Sequence, residues 1–235
     1  MKISEIFYSI QGEGVNAGKR AIFVRFFGCN LSCSWCDTKY SWHPKYAEWK
    51  EMDLEEIVQK ICSYNCTHVI FTGGEPSLFQ KEILEIVEGV NVLRKAKNSP
   101  NDVETIHELS LQKNYTYEIE TNGTRDLSKI DKFLSVVNVS PKLRNSVVRA
   151  ADLPPLRAIS KKYFYKFVIA QKSDIHEILE MQKKYNLKKI LLMPEGSTRE
   201  AQFQRVPMIQ LLCKKYGFEY SPRLHIFLWD NQRGV

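Results

Sequence analysis

A chain of 235 residues, 43% of them hydrophobic, can bury one sizeable core, and no composition shift or Gly/Ser-rich linker divides it. Its 34 Lys+Arg against 27 Asp+Glu give a net charge of +7, but the basic residues are scattered, from Lys95 and Lys97 to Lys214 and Lys215. Without an arginine-rich arm or an RNA-binding aromatic signature they read as a solvated surface and argue against a nucleic-acid partner. No apolar run is long enough to span a bilayer and no secretory signal opens the chain, so a cytoplasmic protein with no membrane partner is expected; in that reducing compartment six cysteines argue for metal binding over disulfides.

Lys2 to Ile10 alternates imperfectly and predicts a first strand, ending in the turn Gln11-Gly12-Glu13-Gly14. Arg20 to Phe27 predicts a buried strand. Arg25 inside it must be paired, either to a structural carboxylate or to an anionic substrate in a cavity. Phe27 to Thr38 then carries Cys29, Cys33 and Cys36 at C-x3-C-x2-C spacing, with Gly28, Asn30, Ser32 and Ser34 permitting a tight curl. Three thiolates are one short of a closed zinc site or an all-cysteine cubane, so the pattern suits a cluster with one iron open.

Tyr40 to Lys50 reads as a loop. Asp53 and Glu56 form a capping box before a helix whose apolar positions are Leu54, Ile57, Val58 and Ile61. Cys62, Cys66 and Cys213 read as small core thiols, with a ligand pair at Cys62 and Cys66 as the alternative. The strand His68 to Thr72 ends in Gly73-Gly74-Glu75-Pro76, where two glycines allow close backbone approach and Glu75 could receive an ammonium. A helix over Ile83 to Leu93 is followed by a charged stretch, 94–113, that reads as a peripheral insertion. Further strands are expected at Tyr115 to Glu120, Ser135 to Val139, Tyr163 to Ala170 and Lys189 to Met193. A helix is expected around Ile175, Ile178, Leu179 and Gln182. Another runs from Thr198 to Tyr216, which Pro207 should kink or split, and Phe218 to Trp229 is β-prone. Strand–helix repeats with polar motifs at strand ends point to a parallel α/β sheet.

The cysteine spacing, with Trp35 before the last cysteine, and the Gly73-Gly74-Glu75-Pro76 turn resemble the radical S-adenosylmethionine (SAM) superfamily. The set Ser9 to Gly14, Ala21 to Arg25, Cys36-Asp37-Thr38, Thr72 to Pro76, Glu118 to Thr124 and Ser140-Pro141-Lys142 spans about two thirds of the chain. With the ending Leu224 to Val235 it resembles the 7-carboxy-7-deazaguanine synthase family. That family contracts 6-carboxy-tetrahydropterin to a deazapurine, with loss of ammonia, on the route to queuosine. The resemblance implies one domain over 1–235 with a radical SAM core. Six or seven strands in ~250 residues or fewer favour an abbreviated, partial TIM-type barrel with a mostly parallel sheet.

The same resemblance assigns residues. Cys29, Cys33 and Cys36 match ligands of a 4Fe-4S cluster whose open iron takes SAM. Thr38 matches a hydroxyl in a Mg²⁺ shell shared with the substrate carboxylate, a hard-oxygen site suited to that ion. Ile10, Gln11, Gly12, Arg25 and Thr72 match substrate contacts, and Glu120 and Asn122 are pocket residues. Gly74, Trp35, Asp37, Ser140-Pro141-Lys142 and Met193-Pro194-Glu195-Gly196 match SAM-facing positions, the 73–76 turn holding the amino group. The carboxylate of Val235 is a further substrate contact. In the implied reaction the cluster reduces SAM, and a 5′-deoxyadenosyl radical takes hydrogen from the carbon bearing the carboxylate. A flavodoxin-like electron donor and a homodimer are implied by analogy. The cluster loop lacks the enlargement of some relatives, and 94–113 has no matched counterpart. The rivals are another small radical SAM enzyme, such as a glycyl-radical activase, and a zinc-binding RNA-interaction module.

Overall fold

The computed structural model describes residues 1–97, 114–146, 161–230 and 232–234. Its frame is a nine-stranded sheet in the order β3-β1-β2-β4-β5-β6-β7-β8-β9. The strands are β1 (Lys2–Ile10), β2 (Arg20–Phe26), β3 (Lys50–Glu51), β4 (His68–Gly73), β5 (Thr116–Thr121), β6 (Leu134–Val139), β7 (Tyr163–Ile169), β8 (Ile190–Pro194) and β9 (Glu219–Tyr220). β1 runs antiparallel to β2 and β3, and every pairing from β2 to β9 is parallel. The order is linear: β3 and β9 are unpaired edges, as an abbreviated barrel requires.

The parallel strands are apolar because both faces are covered. Val69, Ile70 and Phe71 of β4 and Phe167 and Ile169 of β7 are fully buried. Phe71 stacks on Tyr117 with centroids 5.9 Å apart, tying β4 to β5. The covering helices are α1 (Leu54–Cys62), α2 (Gln80–Lys97), α3 (Asp174–Tyr185) and α4 (Arg199–Tyr216), with a short α5 (Leu224–Trp229) at the end. α1 starts at the expected capping box: Glu56 N donates to Asp53 Oδ1 at 2.8 Å, and Asp53 N to Glu56 Oε2 at 2.9 Å. It buries Ile57, Val58 and Ile61, as their spacing predicts.

Two expectations are corrected. α4 is not split at Pro207: the helix runs unbroken through it, and both Pro207 and Phe203, whose carbonyl loses its helical donor, are exposed residues. The β-prone tail forms only the two-residue β9 and then turns helical. Ser221 N closes the sheet contact on Leu192 O, Pro222 follows, and Leu224 N bonds Gly12 O at 2.8 Å, pulling the chain off the sheet into α5. Of the expected insertion, 94–97 is the last turn of α2, and 98–113 lies outside the described residues.

Candidate active site

The carboxyl ends of the parallel strands open into a cavity of about 500 Å³, a size suited to a small ligand with a cofactor. Cys29, Cys33 and Cys36 all line it. Their loop is held to the 73–76 turn: Glu75 N donates to Gly28 O at 2.8 Å, while Gly28 N donates to Ser41 O at 2.7 Å. The approach is so close that a Cβ on Gly74 would sit 2.2 Å from Gly28 O and 2.9 Å from Cys29 Cβ. Two sulfurs already have donors. Leu31 N reaches Cys29 Sγ at 3.4 Å and Trp42 Nε1 reaches Cys36 Sγ at 3.2 Å. Such N–H···S bonds stabilise thiolates bound to iron.

Burial pushes the Cys29 thiol up to about 11, and burial also raises Cys33 against the pull of Lys142. Both are protonated at neutral pH, so metal binding must release protons. Among the described residues no three His, Cys, Asp or Glu side chains converge on a single-ion site. A cubane differs, since its three thiolates bind three separate irons. Three thiolates leave a closed zinc site one ligand short and suit a cluster with one open iron, so the donor set fits the cluster better.

Behind the lining residues Gln11 and Glu120 lies a buried polar network. Glu118 on β5 is fully buried, and its carboxylate accepts from Asn138 Nδ2 at 2.5 Å, Asn16 Nδ2 at 2.6 Å and Gln11 Nε2 at 3.2 Å. His68 Nε2 lies 3.1 Å from it. Glu120, two residues on and so on the same strand face, accepts from Gln11 Nε2 at 3.0 Å and Thr72 Oγ1 at 2.9 Å. Arg25 donates through Nε to Glu5 Oε1 at 2.7 Å, and Tyr40 OH donates to the same oxygen at 2.8 Å. Arg25 is thus paired to a structural carboxylate, the first of its two expected partners, and it also lines the cavity.

A second charged group stands on the cavity wall. Glu13 accepts from Lys166 and, at 3.0 Å, from Arg223 Nε. Arg223 also donates to Asp37 and, through Nη1 at 2.5 Å, to Gly196 O. Burial alone would raise Glu13; the attraction of Lys166 and Arg223 outweighs it and holds the carboxyl below the usual range. Burial likewise opposes ionisation of Asp37, and Arg223 overrides it. His225, 3.9 Å from Glu13, is pushed down by burial.

Among the expected positions, Ile10, Gln11, Gly12, Arg25, Trp35, Asp37, Thr38, Thr72, Gly74, Ser140, Lys142, Met193, Glu195 and Gly196 line the cavity with the cysteines. Pro141 and Pro194 do not belong to its lining, and Val235 lies outside the described residues. Glu75 does not offer its carboxylate to the cavity. It is fully buried and accepts from Thr121 Oγ1 at 2.6 Å, Asn122 N at 2.6 Å and Ser77 N at 2.9 Å. Gly12 has a packing reason to be glycine, because a Cβ there would fall 2.1 Å from His225 Nδ1. Thr38 Oγ1 is 3.6 Å from Cys36 Sγ.

Lys166, Arg223, His225 and Glu13 were not singled out by residue pattern, although all four line the cavity. The available signal was Lys166 within an otherwise apolar strand; a buried ammonium demands a carboxylate.

The sequence pattern of the radical SAM superfamily matches residues 23–144. The chain is 34% identical to the 7-carboxy-7-deazaguanine synthase of Pyrobaculum aerophilum, an alignment covering all of this chain and 97% of that one. It is 30% identical to the 7-carboxy-7-deazaguanine synthase of Halobacterium salinarum, covering 98% and 91%. The crystal structure of QueE from Escherichia coli has a similar fold, with a TM-score of 0.65 at 24% identity over 94% of this chain and 92% of the other.

Proposed function

The chain belongs to the 7-carboxy-7-deazaguanine synthase family within the radical SAM superfamily, and on that premise we propose how its cavity serves the reaction. It is a lyase that converts 6-carboxy-5,6,7,8-tetrahydropterin to 7-carboxy-7-deazaguanine and ammonia, in queuosine biosynthesis. When bound, a 4Fe-4S cluster and SAM supply one-electron reduction and hydrogen-atom abstraction at the substrate carbon bearing the carboxylate.

In our reading Cys29, Cys33 and Cys36 hold the cluster. Trp35, Asp37, Gly74, Ser140, Lys142, Met193, Glu195 and Gly196 contact SAM, with Pro141 and Pro194 shaping those segments from outside the lining. With the Glu75 carboxylate engaged internally, backbone carbonyls of the 73–76 turn are left to receive the amino group. Ile10, Gln11, Gly12 and Thr72 bind the pterin beside Glu120. Behind them Glu118 holds the amides of Gln11, Asn16 and Asn138 in fixed orientations. Arg25 spends Nε on Glu5, and its outer nitrogens meet the substrate carboxylate. Thr38 supplies a hydroxyl to a Mg²⁺ shared with that carboxylate. Gln232, Arg233 and Gly234 line the same cavity and stand near the bound molecules.

We further assign the chain as a single domain over 1–235 that works in the cytoplasm as a homodimer and takes electrons from a flavodoxin-like donor. No described helix is long and apolar enough to cross a membrane.

The observation that carries the reading is that the three cysteines, the Gly73-Gly74 turn and Arg25 all face one cavity. The test is anaerobic reconstitution with iron and sulfide, followed by incubation with 6-carboxytetrahydropterin, SAM and a reductant, with and without Mg²⁺. A brown protein holding about four irons per chain and releasing the deazapurine is expected. Zinc in place of iron, or SAM cleavage without deazapurine, rejects it.

A further inference from the structure

Arg223 is only 5% exposed, and its guanidinium binds three segments that are far apart along the chain. Nε holds Glu13, on the turn after β1. One terminal nitrogen holds Asp37, which directly follows the cysteine Cys36. The other holds Gly196 O, in the loop after β8. The same short segment grips the first turn twice more, through Ser221 Oγ accepting from Gly14 N at 2.8 Å and Leu224 N donating to Gly12 O at 2.8 Å.

In the assignment above, Glu13 adjoins the substrate side of the cavity, whereas Asp37 and Gly196 belong to the cofactor side. We propose that Arg223 is a positioning residue that keeps these two sides in register, so that substrate and cofactor stand at one fixed separation. The inference rests on that reading of the two sides. A planar fork with five donors satisfies two carboxylates and a carbonyl in fixed directions, which an ammonium on a flexible stem does not. Its charge also matters, because half-buried Glu13 and the more exposed Asp37 repel each other and Arg223 is the cation that both share.

Misregister by a fraction of an ångström leaves SAM cleavage intact but spoils hydrogen transfer to the substrate. The telling quantity is therefore the ratio of deazapurine formed to free 5′-deoxyadenosine released. In reconstituted Arg223→Gln this ratio should fall by about ten-fold or more, with Arg223→Lys between the two. Hydrogen–deuterium exchange of the cluster-free protein supplies a readout independent of activity. Amides in 11–16, 34–42 and 195–198 should all exchange faster in Arg223→Gln, while β5 and β6 keep wild-type protection.

An unchanged ratio in an iron-loaded variant, or faster exchange in only one of the three segments, overturns the proposal. Should Arg223→Gln fail to fold, Glu13→Gln cuts one arm alone; it must lower the ratio and loosen 11–16 without loosening 195–198, and wild-type behaviour there is equally fatal. If the wild-type protein yields no deazapurine, the functional reading fails, and the exchange experiment still decides whether Arg223 binds the three segments together.

Discussion

Replacing Glu118 by glutamine isolates the worth of the buried polar network around that carboxylate. The carboxylate is fully buried and takes bonds from amide donors on both oxygens: Gln11 and Asn138 on Oε1, Asn16 on Oε2, with His68 also beside Oε2. Glutamine keeps the shape but must place an NH₂ where one oxygen stood. At the Oε2 position it faces Asn16 Nδ2, which cannot turn without surrendering the bond from Lys19 to Asn16 Oδ1 at 2.8 Å. At the Oε1 position Asn138 can turn, since its Oδ1 has no partner, but the amide nitrogen of Gln11 still opposes the new NH₂. Either way one buried donor stays unpaired and the bonds to a charge become neutral, which costs about 2–3 kcal/mol. At about 2–4 °C per kcal/mol for this chain length, thermal unfolding should shift down by about 4–12 °C. Anaerobic circular-dichroism melts of both proteins at one pH measure this. A melting point within a degree of wild type would mean that the four contacts do not act as drawn.

Three other outcomes are expected. Gly74→Ala drives a methyl into Gly28 O, a backbone atom that moves only with the cluster loop; iron content after reconstitution should drop well below about four per chain, and normal loading would refute the close packing. Cys33→Ser should abolish SAM cleavage while leaving the far-UV spectrum unchanged, because the side chain lines the cavity and not the sheet core; retained cleavage removes it from the ligand set. The acid limb follows from linkage. Glu13 and Asp37 have folded values below their unfolded ones, so their stabilisation is complete above the unfolded range of about 4 and is lost as pH falls from there toward the folded values. Urea midpoints should therefore drop steeply below about pH 4.5, less so in Glu13→Gln, and parallel slopes would contradict the sign.

Much of the frame was readable in the chain itself. The capping box at Asp53 and Glu56, the apolar runs of β4 and β8, and the polar motif closing each strand are contiguous, and short-range periodicity records them. The three-cysteine pattern was legible for the same reason, since all of it lies within eight residues. The tail was misread because its aromatic, β-prone residues promise a strand, whereas Pro222 and the bond from Leu224 to Gly12 divert it. Local pattern was also blind to the charged groups around Arg223.

Gln11 meets Glu118 across 107 positions, Arg223 meets Asp37 across 186 and Glu13 across 210. No local spacing encodes such pairs; the sheet order brings them together by stacking successive strand ends beside one another. The residue order by itself determined which chemistry this protein carries, because a cluster loop needs only neighbours. Which charges neutralise one another around that chemistry was decided by the tertiary fold alone, because a buried ion finds its partner in space and not along the chain.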